Sequence, residues 1–344
     1  MKSFFLALVL WLGGLGACWA NLLTVCASGC DYTTITAAVV AGSASTTIQI
    51  NDNSITNESI DLTKNIACFQ ATGEGITWAS SSATTPTLQL DSGLSQNLLV
   101  RNITLNHNTG PTNVFKYLTF TSGGSVSFIG VGFVAVGTNS ACLISSPTNF
   151  NAANAYNLLD CYIDQENNSF GVRLQGAVTT AGVFNLIGTV ITKKAQTGSG
   201  TGLSILSTMA SAATKILNCD ISGYSTGITE TGKNSFQNCL IYGNTTDVGI
   251  SGAGGGVDFD HCAFGQLSSL AGSTNCLFSI TNPFCDPQNY YLRGNSNVRL
   301  AGVSITGVTD VPYLNGIMTL VPGSPDIGAN AYGAAFCPGY GAGR

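Results

Sequence analysis

The sequence predicts an all-β fold, a parallel β-helix solenoid closed at its N-terminal end by a short capping helix. Three observations lead there. The segments VRNITLN (100–106), FIGVGFV (128–134), LLDCYID (158–164), LIGTVIT (186–192), ILNCDIS (216–222), FQNCLIYGN (236–244) and VDFDHCAFG (257–265) repeat one frame. Most of the later ones are followed by a glycine and alternating apolar residues: GVRL (171–174), GLSI (202–205), GITE (227–230) and GISG (249–252). A short helical pattern stands ahead of the first repeat.

Taken in order, residues 1–20 read as a leader. MKSFFLALVLWLGGLGACWA has one lysine, an apolar run and small residues at its end, the layout of a secretory signal. Cleavage after Ala20 releases a chain beginning at Asn21. LGAC (15–18) also resembles a bacterial lipobox, in which case Cys18 carries a lipid anchor and supplies the only membrane tether. Both readings place the protein outside the cytoplasm, secreted or at the cell surface. Residues 21–344 form a single domain, with an N-terminal cap at about 24–42 and a C-terminal cap at about 283–344.

The repeats set the body of the fold. Aligned on Cys239, one column reads Ile103, Val131, Cys161, Thr189, Cys219, Cys239 and Cys262, at spacings of 28, 30, 28, 30, 20 and 23 residues. A fixed register with variable insertions belongs to a solenoid, in which each repeat buries its apolar face only by stacking on the next. The period is two and β-branched residues dominate, which excludes helical repeats and points to two short strands per coil. The preceding column, Asn102, Gly130, Asp160, Gly188, Asn218, Asn238 and His261, marks a turn whose polar side chains bond one another and the turn backbone. The cysteines beside it read as small apolar interior residues.

Composition narrows the partners. Charged residues make up 8% of the chain and the net charge is −5, with no basic patch, so nucleic acid is excluded as a partner. A Gly-, Ser-, Thr- and Asn-rich surface suits hydroxyl-rich ligands or packing against other protein. Of twelve cysteines, Cys26 with Cys30 and Cys285 with Cys337 are candidate disulfides. There is no CxxC pair, and of two histidines one, His261, sits in the turn column, so zinc is not expected. Sequons at Asn57, Asn102, Asn167 and Asn244 read as chance products of the composition.

The segment TVCASGCDYTTITAAVVAG (24–42) resembles the N-terminal cap of the right-handed parallel β-helix, or pectin lyase-like, superfamily, where a Gly-Asp-Tyr/Phe-x-x-Ile-x-x-Ala segment precedes the first coils; here it reads Gly29, Cys30, Asp31, Tyr32, Thr33, Thr34, Ile35, with Ala37 and Ala38. SPDIGANAYG (324–333) resembles the tail of exported bacterial members. The resemblance implies a right-handed β-helix acting on or binding extracellular polysaccharide or a surface glycan. It reaches the fold and not a reaction. The Asn-Thr-Asp, paired Asp, Gly-His-Gly and Arg-Ile-Lys pattern of polygalacturonases is absent. GGGVDFDHCAFG (254–265) departs from the pectin methylesterase strand after Phe259, so Asp258, Asp260 and His261 read as structural.

The register then selects candidate site residues. Positions following the Cys column bring Asp164 and Glu166 onto one rung with Arg173, and place Lys194 on the next. Tyr242, third after its column residue like Asp164, and Tyr224, fifth like Glu166 and Lys194, fall at turn positions and offer flat faces to sugar rings. In a polysaccharide lyase or glycoside hydrolase of this superfamily, the four charged residues would be catalytic, Arg173 or Lys194 taking a proton as general base, and carboxylates on neighbouring rungs would hold Ca²⁺ against an acidic sugar. The alternative is a non-enzymatic adhesin or self-assembling structural subunit whose low-charge flank packs against protein.

Overall fold

A computed structural model describes residues 21–90, 97–108, 113–117, 124–136, 142–145, 155–166, 170–174, 183–193, 199–205, 214–230, 234–250, 258–286, 291–292, 296–298, 301–303, 310–313 and 316–319. The leader, Lys194, Asn167 and Cys337 lie outside them. The chain winds as a parallel β-helix whose walls are three sheets, of eleven, eight and eight strands among the described residues. All pairings within these sheets are parallel and in register. One rung shows the pattern: Ala155–Leu159 belongs to the first sheet, Tyr162–Gln165 to the second and Phe170–Leu174 to the third. Each then pairs with its counterpart one coil later, Leu158 with Leu186, Ile163 with Ile191 and Val172 with Leu203.

Each coil therefore has three strands where two were expected. The repeat LLDCYID is the end of one strand, a corner and the start of another. The corner residues explain the division. Asn102, Asp160, Asn218, Asn238 and His261 have φ between 50° and 56°, and Gly130 and Gly188 have φ of 60° and 62°. Left-handed backbone ends a strand, and glycine and asparagine enter it at least cost. Gly75 and Asn275 continue the column at either end, with φ of 75° and 54°.

The cysteine column follows directly. A corner residue donates its N–H forward to the next rung, as Asp160 does to the Ile187 carbonyl at 2.9 Å, while the residue two later bonds the previous rung, Tyr162 to Val131 at 3.0 Å. The amide between them points along the coil axis. It is met by a side chain from the following rung: Cys161 N donates to Thr189 Oγ1, Cys239 N to Cys262 Sγ and Cys262 N to Cys276 Sγ, each at 3.4 Å. From Cys161 onward the column holds small residues carrying an acceptor, whereas Ile103 and Val131 earlier in it have none. The thiols are thus hydrogen-bonding groups as well as the apolar filling that composition suggests.

Inside, alternate residues of all three sheets stack apolar side chains. Phe128 meets Phe133 edge-on at 5.0 Å, Tyr156 stacks on Phe184 at 5.6 Å and Phe236 on Phe259 at 4.7 Å. Each such side chain contributes roughly 1.5–3 kcal/mol by burial. On the outside of the first sheet, Asn185 Nδ2 donates to Asn157 Oδ1 at 2.8 Å and Asn157 Nδ2 to Ser127 Oγ at 3.0 Å, a polar ladder one rung per residue.

The N-terminal cap forms as expected. Helix α1 (Ile35–Ala41) buries Ile35, Ala38 and Val39 over the first coil, and Thr34 caps it by accepting from Ala37 N. Glu58 accepts from Ile35 N and Thr36 N at 3.1 and 3.0 Å, placing a carboxylate at the positive end of the helix. Lys64 Nζ donates to the Val40 and Gly42 carbonyls at the other end. Cys26 and Cys30 form a disulfide. The strand Phe284–Asp286 carries Cys285, but its expected partner lies outside the described residues.

At the other end the chain folds back. Ile280 and Val298 cover Leu240 and Ala263 on the outer face of the second sheet, with Tyr162, Val190, Tyr242, Leu277 and Ala301 around them. Asn238 fastens this segment by both ends of its amide: Nδ2 donates to the Val303 carbonyl at 2.8 Å, and Oδ1 accepts from Val303 N at 2.9 Å.

Candidate ligand-binding site

The corner between the first and second sheets is a shelf running the length of the coil. Its C-terminal part lies under the returning segment. Its N-terminal part is an open cleft of about 230 Å³, lined by Glu74, Gly75, Ile76, Asn102, Ile103, Thr104, Gly130, Val131, Gly132, Asp160 and Tyr162. The sequence dictates this shape. Gly75, Asn102, Gly130 and Asp160 are the left-handed corner residues, and Thr104, Gly132 and Tyr162 are the first outward residues of successive second-sheet strands. Gly132 has no side chain between Thr104 and Tyr162, and a Cβ there would stand 2.9 Å from Thr104 Oγ1. The depression lies where the column is smallest.

Tyr162 closes the cleft at one end, half-buried, and its hydroxyl donates to Asp164 Oδ2 at 3.4 Å. Glu74 and Asp160 supply carboxylates and Thr104 a hydroxyl. The floor is apolar, from Ile76, Ile103 and Val131. The arrangement offers one ring face and several acceptors along stacked rungs spaced about 4.8 Å apart.

Of the residues selected from sequence, the described ones do not converge. Asp164 alternates to the outer side of its strand from Ile163, yet it is only 4% exposed, so it is not an open turn carboxylate. Glu166 is exposed at the end of that strand. Arg173 lies on the outside of the third sheet, around the next corner, with its guanidinium 4.6 Å from the centre of the Phe170 ring. Lys194 falls outside the described residues. Its neighbour Lys193 turns inward and is fully buried, with Nζ donating to Ser199 O at 3.2 Å and Ser199 Oγ at 2.5 Å, and burial lowers its pKa.

The tyrosines differ from expectation too. Tyr224 is a core residue, 0% exposed, with its hydroxyl on the Thr192 carbonyl at 2.7 Å. Gly223, at φ 83°, turns the chain so that the next side chain enters the coil above Gly171 and Gly202. Tyr242 is half-buried and packs at the edge of the returning segment. Neither presents a free ring. The ring that borders an opening is Tyr162, which the count outward from the cysteine column does not select. Its signal was its place two residues after the corner residue Asp160.

The residues read as structural sit where the repeat register puts them. Phe259 is buried between Asp258 and Asp260, and His261 is a corner residue whose Nδ1 lies 2.7 Å from Asp260 Oδ1. Among the described residues, no group of three or more His, Cys, Asp or Glu side chains is placed to hold a metal ion. Nor is any helix long and apolar enough to cross a membrane. Asn244 is 3% exposed and bonds Ile221 O and Tyr224 N, which leaves its sequon no room for a glycan.

No protein-family model and no curated protein matches the chain. Among solved structures, it is similar to the pectin methylesterase from Aspergillus niger in deglycosylated form, at 13% identity over 79% of this chain and 93% of that one, with a TM-score of 0.37.

Proposed function

We propose that this chain is an exported β-helix protein that binds an extracellular polysaccharide in the corner cleft ending at Tyr162. The single observation carrying the reading is the cleft itself: an aromatic ring, carboxylates and a hydroxyl set along consecutive rungs over an apolar floor. The rung spacing of about 4.8 Å is close to the advance of one pyranose unit along an extended chain. Apolar sugar faces suit Tyr162, and sugar hydroxyls suit Glu74, Asp160 and Thr104 as acceptors. With carboxylates and no cation among its lining residues, the cleft favours an uncharged chain over a polyuronate. Binding is the extent of the proposal, because Asp164, Glu166 and Arg173 do not share one cleft.

Calorimetric titration with soluble uncharged glucans, xylans and mannans, run beside polygalacturonate, tests this. We expect saturable binding of at least one uncharged chain, weakened tenfold or more by Tyr162→Ala and unchanged by Lys116→Ala on the third sheet. Heats indistinguishable from dilution across the uncharged panel would remove the proposal.

A further inference from the structure

We propose that Cys262 and Cys276 form a reversible dithiol–disulfide pair at the C-terminal end of the coil, oxidised by a hydroperoxide that reaches Cys276. Four thiols, Cys219, Cys239, Cys262 and Cys276, follow one another on consecutive rungs of the corner column. The register around them is unbroken: Asp220 pairs with Leu240, Leu240 with Ala263 and Asp260 with Thr274. In-register parallel neighbours stand about 4.8 Å apart, inside the roughly 4.4–6.8 Å that Cα atoms span across a disulfide. Cys262 N donates to Cys276 Sγ at 3.4 Å, so the outer sulfur lies directly over the inner residue.

Access distinguishes the pair from the rest of the stack. Cys219, Cys239 and Cys262 are 0% exposed, while Cys276 is partly exposed. All four are free thiols. A hydrogen bond from the Cys262 thiol holds the Cys276 pKa below its ordinary value, against desolvation and the Asp260 charge. Burial pushes Cys262 up. The outer sulfur is therefore both the reachable one and the better nucleophile.

The chemistry closes without a further reactant. The Cys276 thiolate attacks the hydroperoxide; an S–O bond forms, the O–O bond breaks and the alkoxide leaves with the thiol proton as an alcohol. Cys262 sulfur then attacks the sulfenic sulfur. The S–S bond forms, and the hydroxyl departs with the Cys262 proton as water. Two thiols and one hydroperoxide yield one disulfide, one alcohol and one water. For hydrogen peroxide the alcohol is a second water.

The test is peptide mapping of the folded protein after hydrogen peroxide, with free thiols alkylated in denaturant and digestion run without reductant. We expect a cross-linked peptide joining Cys262 and Cys276, a loss of two titratable thiols and recovery of both with dithiothreitol. The Cys26–Cys30 peptide serves as a constant reference. Cys262→Ser, which keeps an acceptor in the column, should instead leave a sulfenic acid at Cys276 that dimedone traps. A wild-type protein in which Cys276 remains a titratable thiol, becomes sulfinic without a link, or links elsewhere in the stack overturns the assignment.

Discussion

The backbone N–H of Cys239 donates to the sulfur of Cys262 on the following rung, at 3.4 Å. That bond satisfies the one amide per corner that the sheet ladders on either side leave unmatched. A buried N–H without a partner costs about 1–3 kcal/mol. Threonine already fills this column at Thr189, where its hydroxyl accepts from Cys161 N. Threonine and valine have nearly the same shape, so the pair isolates the acceptor. Cys262→Val should lower the thermal midpoint more than Cys262→Thr, by the equivalent of about 1–3 kcal/mol. Equal midpoints would show that the sulfur acts by volume alone.

Glu230 gives a pH dependence. It is 1% exposed at the inner end of a third-sheet strand, and burial raises its pKa to about 7. Asn234 Nδ2 bonds Glu230 Oε1, while Glu230 Oε2 and Asn234 Oδ1 are both buried without partners. A protonated Glu230 can donate from Oε2 to Oδ1 and satisfy both at once. The folded state thus holds a proton that the unfolded chain, with an ordinary value of 4.5, releases. Stability then falls as pH rises from about 4.5 to about 7, and the cost, at most about 3 kcal/mol, is complete above that. Glu230→Gln reproduces both bonds without a charge. It should raise the melting temperature at pH 8 and leave it unchanged at pH 4; a gain of equal size at both pH values would place the effect elsewhere.

The glycines test the packing of the corner between the second and third sheets. A Cβ at Gly202 would lie 2.6 Å from Ile221 Cγ2 and 2.8 Å from the Gly227 carbonyl, and one at Gly171 would lie 2.7 Å from the Gly202 carbonyl and 2.8 Å from the Tyr224 hydroxyl. Backbone cannot yield there without opening the coil. Gly202→Ala should cost of order 1–3 kcal/mol or more for overpacking, and reduce soluble yield. Gly249→Ala meets nothing closer than 3.3 Å, at Thr226 Cγ2, and should be tolerated. Denaturation midpoints of the two variants, measured side by side, decide the point.

That contrast also shows where sequence carried the fold and where it failed. The corner and cysteine columns were legible because their chemistry is local: a left-handed residue and a small residue beside it recur whatever the loop lengths. GISG was placed with GVRL and GLSI by its glycine, but Gly249 pairs with Thr229 and belongs to the Arg173 column. The buried corner position in that rung is held by Asp247, which is fully buried and accepts from Gln266 N at 2.6 Å. Burial raises its pKa. Counting outward from the cysteines failed in the same way. It carried the frame across Gly223, whose left-handed backbone redirects the chain, and so turned Tyr224 outward when it lies inside. Tyr162 and Glu74 flank the corner that the columns do mark, but counting outward from the cysteines to the third and fifth residues steps past Tyr162, the residue directly after the column.

Asn238 carries two separable duties, and one substitution divides them. Its backbone occupies the left-handed region at φ 53°, and its side chain clasps both the N–H and the carbonyl of Val303. Asn238→Gly keeps the corner, since glycine adopts that conformation freely, but removes both bonds to the returning segment. The apolar contacts of Ile280 and Val298 remain, so the segment should loosen locally while the coil stays folded. Hydrogen exchange at Val303 is expected to accelerate by roughly tenfold or more, the equivalent of losing one to two net hydrogen bonds at about 1 kcal/mol each. Amides of the second sheet farther along, such as Tyr162, should keep their wild-type rates. Asn238→Ala adds the cost of a left-handed alanine, about 1–2 kcal/mol, and should lower the melting temperature as well. If Val303 exchanged no faster in Asn238→Gly than in the wild type, the clasp would be a consequence of the apolar cover and not what holds the segment on the shelf.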